Sequence, residues 1–312
     1  MNLNKIILTI ISIIISTAIL EVGLRLYVKK DTGIYELEMM KYAKELKEIK
    51  TYKDQKYIKH KPNKNSVKIM NTVISTDKRG YRKSEINVSE ELPKIILLGD
   101  SMTFGFGSRI TFSDILQKKF KNKYEILNTA VGNTNTIMQI TYFFSEMKNY
   151  STKFIILNFY INDFENIDLN KKNFLNTNFY LYNFLSFRLS IISSEKKNYV
   201  KYYRDTFLNK DIEKKTFNKI LELKKYSEKN DIIFLVNFIP DLRNIENYPF
   251  KNEENLLKRF LVKNNISFLE HFENFKGLKS KNLWVSDTDP HPNEFTHNIL
   301  SINLGDYIDK KK

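Results

Sequence analysis

The sequence predicts an α/β fold: a doubly wound parallel sheet in a three-layer sandwich, preceded by a transmembrane helix and interrupted by a helical, aromatic insert. Three observations predict it. Short continuous apolar runs recur from Lys94 onward, as expected of strands buried on both faces. Stretches with apolar residues at helical spacing separate them. A charge-free aliphatic run occupies Ile6 to Leu20.

That N-terminal run is the first element. Counted through Val28, it is roughly 34 Å long at 1.5 Å per residue, enough to span the hydrocarbon of a bilayer. Glu21 and Arg25 are four apart and share one helical face as a neutralising pair. Arg25, Lys29 and Lys30 sit where long side chains reach the headgroups. A cleaved signal peptide, with Lys5 and then Ile6 to Ile15, is the other reading, but no convincing small-x-small site lies around Ser16 to Ala18. The basic residues after the run favour a cytoplasmic location for the rest of the chain.

Residues 31–92 form a charged, Tyr-rich linker and packing segment, with one short helix expected from Glu36 to Ile49. The α/β domain covers 93–312. Strands are expected at Lys94–Leu98, Tyr124–Leu127, Phe154–Phe159, Ile232–Ile239 and Ile266–Leu269. Helices are expected at Phe112–Phe120, Thr136–Met147, Asn255–Val262 and His297–Tyr307; in the second, Ile137, Ile140, Phe144 and Met147 mark the buried face. Residues 165–230 interrupt the rhythm as a cap-like insert rich in Asn, Lys, Tyr and Phe. Its aromatics are expected to form a small satellite core, and Phe217, Ile220, Leu221 and Leu223 mark a helix leading out of it.

Composition narrows the function. Hydrophobic residues make up 42% of 312, enough for a sizeable core. There is no cysteine, which excludes disulfides, thiolate nucleophiles and cysteine-ligated metals. Four scattered histidines argue against a metal site, and no cofactor is implied. The formal charge of +15 is spread over dispersed lysines with no nucleic-acid-binding pattern beside it. Its expected partner is solvent, or an anionic lipid or wall polymer, and not nucleic acid.

The chemistry-bearing residues lie at strand ends. The first apolar strand runs into Gly99-Asp100-Ser101-Met102-Thr103-Phe104-Gly105, which places Ser101 where open α/β sheets bind ligands. Serine needs a base to act as a nucleophile, and histidine is the usual one. Asp289-Pro290-His291-Pro292-Asn293 offers His291 in a turn stiffened by proline, with Asp289 placed to orient it; Asp287 is the alternative orienter. His297 reads as structural. An oxyanion formed on a substrate carbonyl needs aimed donors. The loop Asn128-Thr129-Ala130-Val131-Gly132-Asn133 offers backbone N–H groups, and Asn162-Asp163 offers a side-chain amide.

The order of these blocks resembles the SGNH (GDSL-like) hydrolase superfamily over residues 77–308. Arg79-Gly80-Tyr81-Arg82, Phe159-Tyr160-Ile161-Asn162-Asp163, Phe238-Ile239-Pro240-Asp241 and Leu283-Trp284-Val285 are similar to its membrane-associated bacterial branch. The resemblance implies a flavodoxin-like sheet and an acyl-serine intermediate. It also implies an oxyanion hole from Ser101 N–H, a second-block N–H and Asn162, with His291 as base. Two positions depart from the pattern. Asn133 stands where a glycine is usual, with Gly132 one place early, so either N–H is a candidate donor; Tyr160 also replaces a glycine. The implied activity is ester hydrolysis or O-acyl transfer on acylated cell-surface glycan, with a multispanning acyltransferase as a possible partner and the domain outside the cytoplasm. That placement conflicts with the basic residues noted above. The alternatives are a lipid esterase or lysophospholipase, and a non-catalytic membrane-tethered glycan-binding module.

Overall fold

The computed structural model describes residues 3–29, 33–70, 72–169, 174–193 and 198–311. Lys30, named above at the anchor's flank, lies outside the described residues, as do 170–173 and 194–197 of the insert.

Five parallel strands form the central sheet: β5 (Lys94–Leu98), β6 (Glu125–Asn128), β7 (Thr152–Phe159), β8 (Ile233–Phe238) and β9 (Ser267–Glu270), in the order β6-β5-β7-β8-β9. Four smaller antiparallel strands precede it as two hairpins, β1 (Lys47–Tyr52) with β2 (Gln55–His60) and β3 (Val67–Ile69) with β4 (Thr72–Ile74). A last hairpin joins β10 (Trp284–Ser286) to β11 (Asp289–Pro292). The α/β class expected from the sequence is the one found. In the sheet's order the chain leaves β5 for β6 on one side and later returns to β7 on the other. Ligands of open α/β sheets bind beyond the strand ends at such a switch point.

Burial explains the apolar runs. Ile95, Ile96 and Leu97 of β5 are fully buried, and so are Phe154 to Leu157 of β7. Each such side chain contributes roughly 1.5–3 kcal/mol relative to exposure, so both faces hold the strands in place.

The helices, in chain order, are α1 (Leu3–Val28), α2 (Tyr35–Leu46), α3 (Ser101–Phe104), α4 (Phe112–Phe120), α5 (Thr136–Glu146), α6 (Phe174–Asn178), α7 (Tyr180–Ser193), α8 (Tyr199–Leu208), α9 (Lys210–Lys229), α10 (Lys251–Lys263), α11 (Phe272–Phe275) and α12 (Glu294–Lys310). Thr111 starts α4 with a capping box to Asp114, and the Asn293 side chain accepts the Thr296 N–H at the start of α12. The last helix therefore begins before His297, where apolar spacing alone had placed it.

α1 is long and apolar enough to cross a membrane, with mean hydropathy 2.4 and almost all of its surface exposed. The helix expected over 36–49 ends at Leu46, because the next residues pair as β1, with Ile49 opposite Ile58. Tyr57 of β2 stacks on Tyr142 of α5 at 5.3 Å and its hydroxyl meets Ser145 and Glu146, both at 2.9 Å. Arg82 ties the segment to the loop after α3: its guanidinium donates to the carbonyls of Phe104 and Ser108 at 3.0 and 2.9 Å.

The insert's aromatics divide: Tyr180 and Phe184 join a small separate cluster with Val28, Leu37 and Met40, as expected of a satellite core, and others do not. Phe207 stacks on Phe164 at 4.2 Å and Phe217 on Phe260 at 3.8 Å, which joins both to the main core. Others line the cleft described next, and Phe174 and Phe179 face outward.

Candidate active site

β5 ends in a turn that only its own residues allow. A Cβ on Gly99 would lie 2.2 Å from Thr103 Oγ1, and Gly105, at φ 76°, closes α3 in the left-handed region. The Asp100 carboxylate accepts the Met102 N–H at 2.9 Å and so caps α3, which leaves Ser101 as its first residue. Ser101 comes out at the switch point between β5 and β7.

The hairpin β10–β11 brings His291 to it. His291 Nε2 lies 2.9 Å from Ser101 Oγ, and His291 Nδ1 lies 2.5 Å from Asp289 Oδ1. Burial pushes the Asp289 carboxyl up, but the hydrogen bond and charge of His291 outweigh it and hold the group below the usual carboxylate range. Asp287, the alternative orienter, is exposed and is not the carboxylate on the ring. The hairpin is fixed at two points: Trp284 Nε1 donates to the Leu242 carbonyl at 2.8 Å, and Ser108 Oγ donates to the Pro292 carbonyl at 2.9 Å. The other three histidines, His60, His271 and His297, are buried, and burial presses each pKa down to about 3, so they stay neutral. His297 packs against Phe112 at 5.7 Å, in keeping with a structural role.

The residues expected to supply donors, Ser101, Gly132, Asn133 and Asn162, line the same cleft as His291. Asn162 Nδ2 donates to Asp100 Oδ2 at 2.9 Å, which ties the turn after β7 to the turn after β5. Behind them are two buried carboxylates. Burial pushes Asp100 up, against the hydrogen bond from Asn162, and it pushes Asp163 well up, with the charge of Asp100 adding to the effect. Asp163 also accepts the Tyr160 N–H and the Gln139 amide, both at 2.7 Å, which fixes the Asn162 turn from below.

The loop after β6 separates the two second-block candidates. Gly132 N–H donates to Tyr42 Oη at 3.0 Å and is therefore engaged in this arrangement. Asn133 adopts φ 57°, the left-handed geometry that asparagine tolerates, and it lines the cleft beside Ser101.

Tyr42 was not expected here. It belongs to α2, and its hydroxyl meets His60 Nε2 at 2.6 Å as well as the Gly132 N–H. Lys47 donates to the Gly132 carbonyl at 2.5 Å and lies 4.3 Å from the Tyr42 ring centroid. Burial pulls the Lys47 pKa down to about 7. Both sides of the Gly132 peptide are thus held from the N-terminal segment. The spacing of Met39, Tyr42 and Leu46 marks a packed helical face, but nothing local signals the partner.

The cleft itself has a volume of about 230 Å³. Tyr35, Tyr160, Tyr199, Tyr203, Glu165 and Arg243 line it beyond the serine. Arg243 donates to Tyr160 Oη at 2.8 Å, to Tyr199 Oη at 2.7 Å and to Asp241 Oδ2 at 2.7 Å, and Asp241 accepts both tyrosine hydroxyls. Tyr160, which replaces a small residue of the expected pattern, is therefore fixed as part of the wall. Among the described residues no cluster of His, Asp and Glu could hold a metal ion.

No protein-family model and no curated protein matches the chain. Solved structures do. A member of the lipolytic G-D-S-L family from Veillonella parvula is 12% identical with a TM-score of 0.44, over 70% of this chain and 98% of its own. A GDSL-like lipase from Bacteroides thetaiotaomicron is 15% identical with a TM-score of 0.43, over 72% and 92%. An acetylxylan esterase from Geobacillus stearothermophilus is 15% identical with a TM-score of 0.42, over 70% and 94%. Likenesses this distant carry no functional weight of their own.

Proposed function

We propose that this chain is a serine ester hydrolase of the SGNH class, held to a membrane by α1. The observation that carries the reading is the relay Ser101 Oγ–His291 Nε2, His291 Nδ1–Asp289 at the switch point of a parallel sheet. Two hydrogen bonds in series on one imidazole are what an activated serine needs.

In this reading Ser101 Oγ attacks the ester carbonyl while His291 Nε2 takes its proton. Asp289 fixes the tautomer that leaves Nε2 free to accept it and stabilises the imidazolium that forms. The tetrahedral oxyanion is met by the N–H groups of Ser101 and Asn133 and by the Asn162 amide. Gly132 instead holds the loop through Tyr42. His291 then protonates the departing alkoxide, and water resolves the acyl-serine. Resolution by a sugar hydroxyl would make the same site an O-acyltransferase, with a multispanning acyl donor as partner.

The cleft favours a small acyl group on a polyhydroxylated alcohol over a long-chain lipid. Its walls are mostly tyrosines, with Arg243, Lys47 and Glu165, and the apolar contribution is confined to Met39, Met102, Phe106 and Pro290. Full-length protein should therefore hydrolyse p-nitrophenyl acetate faster than the palmitate ester, and should release acetate from O-acetylated glycan. Turnover of the long-chain ester alone would move the reading to a lipid esterase.

The domain is proposed to lie outside the cytoplasm. Arg25, the first basic residue on the C-terminal side of the apolar run, is paired with Glu21 at 2.8 Å, which weakens the charge argument for the opposite orientation. A periplasmic reporter fused after Lys312 should be active; an inactive one, with an active cytoplasmic fusion, would reverse the orientation.

A further inference from the structure

The proposed anchor makes a contact that its sequence does not announce. Both oxygens of the Glu21 carboxylate cap α7, accepting the Tyr180 N–H at 3.1 Å and the Leu181 N–H at 2.9 Å. Arg25 pairs with the same carboxylate at 2.8 Å and donates to the Asn178 carbonyl, at the end of α6, at 2.6 Å. Around them, Leu24 and Val28 of α1 pack with Leu37 and Met40 of α2 and with Tyr180 and Phe184 of α7. The corner between α6 and α7 is thus bound to α1 at one level of that helix.

The level follows from length. Leu3 to Leu20 is 18 residues of the helix, or about 27 Å at 1.5 Å per residue, against a hydrocarbon thickness of roughly 30 Å. If α1 spans the bilayer, Glu21 lies where hydrocarbon gives way to headgroups. The corner bound to Glu21 lies there too. Its outward side chains are the ones expected at that depth: Phe174 is 69% exposed, Leu175 42%, Phe179 39% and Tyr182 38%. In water such a set is costly, whereas at a membrane interface aromatic side chains are favoured.

We infer that the α6–α7 corner, Phe174 to Tyr182, is a second membrane contact, inserted at the headgroup boundary beside α1. The inference rests on the anchor reading of α1. The occupant it assigns to the corner is lipid. It also places the cleft near the bilayer, because Tyr35 of α2 lines the cleft and packs on Phe187 of α7 at 6.2 Å. Membrane-proximal ester would then be the substrate within reach.

The chain has no cysteine, so single labels can be introduced cleanly. Full-length Phe174→Cys, Phe179→Cys, Ile13→Cys and Val262→Cys would each be spin-labelled and reconstituted in phosphatidylethanolamine–phosphatidylglycerol vesicles. Collision with oxygen reports acyl chains, and collision with a water-soluble nickel chelate reports solvent. The expected result is oxygen-dominated relaxation at positions 174 and 179, at shallower depth than at 13, with nickel-dominated relaxation at 262. Nickel-dominated relaxation at 174 and 179 with oxygen at 13 would overturn the corner and leave the anchor standing. Nickel at 13 as well would overturn both. Labels at 174 and 179 shielded from both probes would mean that a second copy covers the corner, and would also overturn the inference.

Discussion

The C-terminal ends of the sheet strands and the N-terminal segment line the same cleft and do different work there. The C-terminal ends of β5 and β7 present Ser101 and Asn162, and the β10–β11 hairpin adds His291 and Asp289, all groups with reactive or donating chemistry. The N-terminal segment presents Tyr42 and Lys47, which hold the Gly132 N–H and carbonyl, and His60, which meets the Tyr42 hydroxyl. Groups that react must be of particular chemical types and are few. Groups that hold need only the right reach and burial. The two regions should therefore respond to substitution on different scales and in different observables.

The largest expected effect is at the strand ends. Ser101→Ala should lower kcat on an aryl acetate by about 10⁶ with an unchanged melt, the scale seen when a triad nucleophile is removed. Asp289→Asn should cost on the order of 10⁴ in kcat, while Asp287→Asn should be close to wild type. Equal losses at the two positions would mean that the ring is not oriented as the geometry has it. Next comes Asn162→Ala, with a loss of roughly 10²–10³ in kcat and little change in KM, because the oxyanion exists only near the transition state. A lowered melting temperature with unchanged kcat would instead make Asn162 a tie to Asp100 and nothing more.

The N-terminal segment should show smaller kinetic losses and clearer stability losses. Tyr42→Phe leaves the buried Gly132 N–H and His60 Nε2 without the hydroxyl they share, which should cost about 1–3 kcal/mol in a urea melt. Its kcat loss should be below that of Asn162→Ala. The last expected effect is a pH dependence. The Lys47 pKa is about 7 when folded, below the ordinary lysine value near 10.4. Between those values the unfolded chain binds a proton that the folded chain does not, so stability rises with pH there. The melting temperature of wild type relative to Lys47→Met should thus rise from pH 7 to pH 10; a flat difference would show that Lys47 stays charged.

How much of this was legible differs between the same two regions. β5 and α4 appear where the apolar pattern placed them, since both-face burial leaves a continuous run and a helix leaves its period. Ser101 and His291 could be singled out because serine after a buried strand and histidine in a proline-stiffened turn are uncommon and chemically pointed. Tyr42 could not, since its partner is 90 positions away and a tyrosine on an amphipathic helix reads as packing. The engagement of the Gly132 N–H by Tyr42 was also hidden, because it depends on a hydroxyl distant in sequence. The satellite core expected of the insert holds for Tyr180 and Phe184 but not for Phe207 and Phe217, whose stacking on Phe164 and Phe260 is a long-range fact that composition does not carry.

The central claim is that Ser101 is activated by His291. Full-length protein treated with a fluorophosphonate and mapped by mass spectrometry tests it most directly. The account predicts one adduct, on Ser101, formed at a rate that collapses in His291→Ala and absent in Ser101→Ala. An adduct on a different serine, or labelling of Ser101 that is indifferent to His291→Ala, would contradict it.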